Sequence, residues 1–322
     1  MPTSALPLAG LPLSRHAVDR DHQARSRPAL FDELWTERST HILALWGDRS
    51  LVRIDSAGLP HLVLQPVDRV PWALVRVYLG RTVVDGPMIP RGSAIVVHSL
   101  TDSAARELEP DESQWVSLKA IAHKLSDLDA GLFTEALGIV NWHFSHPHCP
   151  RCGSPTVVEQ GGWVRRCLED QQEIFPRTDP AVIISVLDDD DRLLLGSNAS
   201  WERNRYSLLA GFVEPGESFE AAAVREVAEE AAIIISEIHY RGSQPWPFPA
   251  SLMIGMTARL ADGQTPDSIH PDGEEILDLR WFSREELWGE RDRILVPGVS
   301  SIARGLIEDW YGGSLDKEPA TL

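Results

Sequence analysis

Hydrophobic and polar positions change their period along this chain, and the changes mark its parts. Between about residues 40 and 100, short apolar runs are separated by turns, among them His41-Ile42-Leu43-Ala44-Leu45-Trp46, residues 73–79 and residues 93–97. They predict an irregular β-rich region. Residues 115–144 read as helix, broken or bent near Asp127-Leu128-Asp129. Farther on, 181–186 and 192–196 predict a β-hairpin. Its connection, Asp188-Asp189-Asp190-Asp191, reads as a solvated tip rather than a metal site. Strands are expected at 252–260 and 277–282, and a final helix over 299–310. Residues 1–28 lack periodicity and predict a loosely held arm. No internal repeat is visible.

This pattern divides the 322 residues into three. An N-terminal arm and β-rich domain with a linking helix span 1–144, a cysteine-bearing module spans 145–178, and an α+β sandwich spans 179–322. A hydrophobic content of 43% supports a sizeable core. No apolar run reaches the roughly 18 residues a membrane helix needs, and the N-terminus lacks a basic-then-apolar signal pattern. A soluble, cytoplasmic protein with no membrane partner is expected. A net charge of −18 argues against broad affinity for nucleic acid, so any RNA contact is expected to be local. The three cysteines, Cys149, Cys152 and Cys167, are too few for a disulfide framework and fit a reducing compartment.

The chemistry is concentrated in residues 211–233, GFVEPGESFEAAAVREVAEEAAI. Pro215-Gly216 is turn chemistry, and Ser218 is an N-cap candidate before a helix-forming run. On that helix Glu226, Glu229 and Glu230 stand at i, i+3 and i+4 and share one face. Three carboxylates there repel one another unless a hard divalent cation such as Mg²⁺ or Mn²⁺ intervenes.

The segment resembles the Nudix box, G-x5-E-x7-R-E-U-x-E-E-x-G-U with U apolar. Gly211, Glu217, Arg225, Glu226, Val227, Glu229, Glu230 and Ile233 match it. Ala232 stands where the family has a helix-ending glycine, which predicts a different exit or local strain of about 1 kcal/mol.

Cys149-Pro-Arg-Cys152 has the spacing of a metal knuckle. With Cys167 it lacks only a fourth thiolate, and Asp170 occupies that place; His146 and His148 are alternatives. A Zn²⁺ bound here is expected to be structural. Downstream, Ser243-Gln-Pro-Trp-Pro-Phe-Pro-Ala-Ser251 resembles the SQPWPFPxS signature of the NADH pyrophosphatase family, as do the cysteine cluster and the domain before it. Its alternating prolines stiffen the backbone, and that rigidity suits Gln244 and Ser251 as hydrogen-bonding groups around a planar heterocycle. Trp246 and Phe248 read equally as core anchors.

The resemblance implies a Nudix α/β/α sandwich behind a zinc-ribbon-like module, a homodimer, and metal-dependent hydrolysis of NADH or NAD to nicotinamide mononucleotide and AMP. It also implies removal of NAD caps from RNA 5′ ends. Glu226, Glu229, Glu230, Glu275 and the carbonyl of Ala210 would hold Mg²⁺ or Mn²⁺, with Glu274 competing for the place of Glu275. Arg225 would orient Glu217, and Glu230 would lie closest to the attacking water. Phe175 and Phe212 match base-stacking positions, and Ala303 and Lys119 match substrate contacts. Arg165 and Arg166 are candidates for the first RNA phosphates. The competing readings are a Nudix hydrolase of another nucleoside diphosphate, such as ADP-ribose, and a catalytically silent nucleotide sensor.

Overall fold

The structure is a computed structural model, described for residues 8–318. It resolves into two compact units. One comprises Leu13–Thr178 and Trp246–Ala250; the other comprises residues 8–12, Asp179–Pro245 and the chain from Ser251 onward. The cysteine module, residues 145–178, therefore lies within the first unit.

The second unit is built on a six-stranded sheet. Its order is Ile235–Trp246, Ser251–Leu260, Asp179–Leu187, Leu193–Asn198 and Ile276–Phe282, with Leu209–Phe212 paired antiparallel to Asp179–Leu187. Alternation along Asp179–Leu187 decides the layers. Val182, Ile184 and Val186 pack in a cluster with Ala222, Ala223, Val227 and Ala231 of the helix Phe219–Ala231. Ile183 and Leu187 enter a second cluster with Ile302, Leu306, Ile307 and Trp310 of the helix Ile302–Tyr311. The unit is an α/β/α sandwich. The strand carrying Pro245 lies at the sheet edge, where a missing N–H leaves no central ladder bond unmade.

The first unit contains an eight-stranded sheet with the same plan. A hairpin, His41–Trp46 and Arg49–Ile54, corresponds to Asp179–Leu187 and Leu193–Asn198. In each unit the first hairpin strand takes a short antiparallel partner, Gln65–Pro66 or Leu209–Phe212. In each it also takes a parallel partner, Ala94–Ser99 or Ser251–Leu260. A closing strand, Trp115–Ser117 or Ile276–Phe282, pairs antiparallel with the second hairpin strand, and a helix follows, Asp127–Ser145 or Ile302–Tyr311. The chain thus contains a repeat that its sequence hides, because strand order survives when side chains change. The units differ after the short strand. Phe219–Ala231 follows in one, whereas residues 67–74 of the other contain turns and no helix.

Several expectations are corrected. Within residues 8–28 the chain is packed: Leu13, Ala17 and Val18 are buried, and Val18–Asp19 pairs with Val75–Thr82. Residues 1–7 of the expected arm lie outside the described residues. Residues 115–144 are not one helix, because Trp115–Ser117 is a strand and the long helix begins at Asp127 with Ser126 Oγ accepting from Asp129 N. The tetra-aspartate connection is not wholly solvated either. Asp188 is fully buried, accepting the N–H groups of Asp190 and Arg192 and pairing with the Arg192 guanidinium at 2.7 Å.

Candidate active site and zinc centre

Ser218 caps the helix Phe219–Ala231, its Oγ accepting from Ala221 N at 3.1 Å. Counting from that cap sets Arg225, Glu226, Glu229 and Glu230 toward the strand Leu209–Phe212. Arg225 is the hub. Its Nε and Nη2 grip Glu217 at 2.7 and 3.0 Å, and its Nη1 donates to Glu226 and Glu229, each at 2.9 Å. Nη2 also donates to the Phe212 carbonyl at 2.9 Å, tying helix to strand. The Arg225 guanidinium holds the Glu217 carboxyl below its ordinary value. Glu226 is pushed up, first by burial and then by the charges of Glu229 and Glu275.

Glu230 is only 5% exposed, and its Oε2 has no hydrogen-bond partner among the described residues. Burial, then the charges of Glu226 and Glu275, raise it to about 8, against the Ala210 backbone amide, which favours the charged form. An orphaned buried carboxylate oxygen among like charges is a donor set suited to a hard divalent cation. With Arg225 drawing Glu226 and Glu229 toward itself, the carboxylates do not form a set within 4.8 Å of one another; the described residues contain one such set, the cysteine cluster.

Glu275, on the loop before Ile276–Phe282, joins this group through side chains that the sequence reading passed over. Asn198 Nδ2 donates to its Oε1 at 3.1 Å, while Asn198 Oδ1 accepts from Ser200 N. Asp272 Oδ1 accepts the N–H groups of Glu274, Glu275 and Ile276, which sets the turn. A shift in strand register between Ser197 and Asn198 marks the place. An Asn at a strand end is ordinary turn chemistry, so its sequence signal is weak. The Glu275 charge acts on both Glu226 and Glu230, raising each.

The other candidates are dispersed. Phe212 is 59% exposed beside the box, and Phe175, in the first unit, is 61% exposed. Gln244 is fully buried, its Nε2 donating to the Ser300 carbonyl at 3.1 Å. Ser251 is half-buried opposite Asp179 in the sheet. Ala303 is buried in the apolar cluster of the final helix. In the first unit, Trp246 and Phe248 pack against the core, and Lys119 Nζ stands 4.2 Å from the Phe248 ring centroid. Arg165 is buried, bonded to Thr156 and His143, and Arg166 is paired with Glu159 and Glu173. Arg165 is thus held inside, away from any RNA phosphate, and Arg166 is ion-paired at the surface.

Ligand atoms of Cys149, Cys152, Cys167 and Asp170 all lie within 4.8 Å of one another. His146 and His148 are outside that set. Three thiols and one carboxylate make a four-donor set compatible with tetrahedral Zn²⁺, with no position left for a reacting water.

Residues 177–299 match the model of the NUDIX domain, 145–175 that of the NADH pyrophosphatase zinc ribbon domain, and 39–142 that of the NADH pyrophosphatase-like rudimentary NUDIX domain. NAD-capped RNA hydrolase NudC of Mycobacterium bovis is 35% identical over 312 residues, covering 90% of this chain and 96% of that protein. The protein of the same name from Mycobacterium tuberculosis is 34% identical over the same shares. NAD-capped RNA hydrolase NUDT12 of Homo sapiens is 36% identical over 201 residues, covering 58% of this chain and 43% of that protein.

Proposed function

The chain belongs to the NADH pyrophosphatase and NAD-capped RNA hydrolase family of Nudix hydrolases, and from that premise we propose that it cleaves the pyrophosphate of NADH and NAD. The products are nicotinamide mononucleotide and AMP, and the same cleavage removes NAD caps from RNA 5′ ends. The observation that carries the reading is the Arg225-centred carboxylate set, with Glu230 buried and one oxygen unpartnered.

Glu226, Glu229, Glu230, Glu275 and the Ala210 carbonyl are the groups that would hold Mg²⁺ or Mn²⁺. When bound, the metal neutralises the diphosphate and activates water. The rest is the work of the chain. Arg225 fixes Glu217 and the helix against the strand, so the carboxylates keep one arrangement. Glu230 is the base closest to the attacking water, since burial removes competing solvent. Phe212 offers an exposed ring for stacking on the base, and the family resemblance supports the same role for exposed Phe175. Asp170 is the fourth Zn²⁺ donor beside three thiolates, and that site is structural. The family resemblance supports a cytoplasmic homodimer.

The test incubates the protein and its Glu230→Gln variant with Mn²⁺ and, separately, NADH, ADP-ribose and NAD-capped RNA, resolving products by chromatography. Reduced nicotinamide mononucleotide plus AMP from the parent and not the variant is expected. Cleavage confined to ADP-ribose would move the substrate away from nicotinamide, and no cleavage of any substrate would leave a nucleotide sensor.

A further inference from the structure

The first unit repeats the strand plan of the catalytic one without the helix that carries the carboxylates. Three places in the catalytic plan border its site: the end of the second hairpin strand with Asn198, the short strand with Ala210 and Gly211, and the loop before the closing strand with Asp272 and Glu275. The same three places in the first unit border a cavity of about 440 Å³. Arg53 comes from the second hairpin strand, Gln65 from the short strand, and Glu109 and Gln114 from the segment before the closing strand. A fourth wall holds Arg69, in the turn that stands where the catalytic unit inserts its helix.

The lining differs from the catalytic site in carrying guanidinium groups beside its carboxylates. There, helix carboxylates call for a metal between protein and diphosphate. Here, Arg53 and Arg69 line the cavity together with Glu107 and Glu109, and among the described residues neither arginine has an ion-pair partner or a side-chain hydrogen bond. We propose that this cleft binds a phosphorylated sugar or nucleotide directly, with its phosphate on Arg53 and Arg69 and no metal between them. Planar guanidinium forks match phosphate oxygens and form charge-assisted hydrogen bonds. Half-buried Gln65 offers a donor and an acceptor to sugar hydroxyls, and half-buried Gln114, whose Nε2 donates to Asp111 at 3.3 Å, offers its carbonyl oxygen. Glu109, whose Oε1 is oriented by the Asp111 N–H at 3.1 Å, accepts from a hydroxyl and repels a second anion. The volume lies in the range of small-ligand sites, and a bare orthophosphate would leave most of it empty.

Calorimetric titration of the full chain with AMP and with ribose 5-phosphate, in buffer free of magnesium and manganese, tests this. Arg53→Gln and Arg69→Gln variants, both exposed and checked for unchanged Tm, run alongside. Each substitution is expected to weaken binding by about 10- to 100-fold. Binding that both substitutions weaken supports the site: seen with both ligands it assigns the sugar phosphate, and seen with AMP alone it assigns the nucleotide. An AMP titration unchanged in both variants places the ligand in the catalytic cleft and overturns the proposal. Absence of heat from both ligands overturns it as well.

Discussion

The Cα of Gly211 lies so close to the Glu226 carboxylate that an added Cβ would overlap its Cδ and both oxygens. The glycine that opens the box is therefore there for space, not for backbone freedom. Gly211→Ala is expected to displace Glu226 and break its bond to Arg225. A shift of about 1 Å in a catalytic group costs roughly 100-fold in rate. Steady-state kcat/KM on NADH measures it, and a value near that of the parent would sink the steric account.

Ala232 ends the helix with φ 56° and ψ 26°, a left-handed conformation in which Cβ crowds the following carbonyl. The residue is exposed and takes the conformation itself, so the strain foreseen from the sequence is present. Ala232→Gly should raise unfolding free energy by about 1 kcal/mol with kcat unchanged. Urea denaturation of the two proteins decides it.

Glu230 shows how function opposes stability. Its folded value of about 8 lies above the ordinary 4.5, so the folded state holds a proton that the unfolded chain releases. Without metal, stability therefore falls as pH rises from 4.5 toward 8. Glu230→Gln removes that penalty, so the metal-free variant should melt higher than the parent at pH 8. Its kcat should fall by about 100-fold or more. A lower melting temperature in the variant would contradict the burial argument.

Asn198 reaches the site through Glu275. Asn198→Ser keeps an acceptor for the Ser200 turn and loses the donor to Glu275. The Mn²⁺ concentration for half-maximal activity should rise about 10-fold or more, as for other residues that orient metal ligands. In a Glu275→Gln background the same change should add little, because both act on one group. Multiplying effects would show that Asn198 works elsewhere.

A second titration lies outside the site, on the helix Asp127–Ser145. His143 is 2% exposed, its Nε2 donating to the Gly162 carbonyl at 2.8 Å and its Nδ1 accepting from Arg165 at 2.9 Å. Burial first, and the Arg165 charge, hold it down at about 4, against 6.5 ordinarily. Stability is full above pH 6.5 and falls as pH drops toward 4, because only the unfolded chain then takes the proton. The loss at completion is about 3 kcal/mol. His143→Gln should flatten the pH dependence of the urea midpoint over that window; an unchanged slope would assign the effect to another group.

Local chemistry made much of the catalytic unit legible. Ser218 as a cap, the spacing of Glu226, Glu229 and Glu230, and the alternation Val182, Ile184, Val186 are short-range patterns, and each expresses the geometry of a single helix or strand. The Cys149–Cys152 knuckle is likewise local. Misreadings came where a residue's partner lies far along the chain or where local charge misled. Asp188 looked solvated among acids, yet Arg192 and two backbone amides bury it. Arg165 looked available to an anion, yet His143, 22 residues away, holds it inside.

The sequence by itself determined the metal-type carboxylates, the helix they share and the family to which the chain belongs, because those depend on residue identity at fixed short spacing. Only the tertiary structure decided that Asn198 holds Glu275, 77 residues distant, and that Gly211 makes room for Glu226. It also shows, strand by strand, how the two halves of the chain repeat one plan. Pairing between distant strands is specified by burial and register summed over many residues, and no local run of the sequence records that sum.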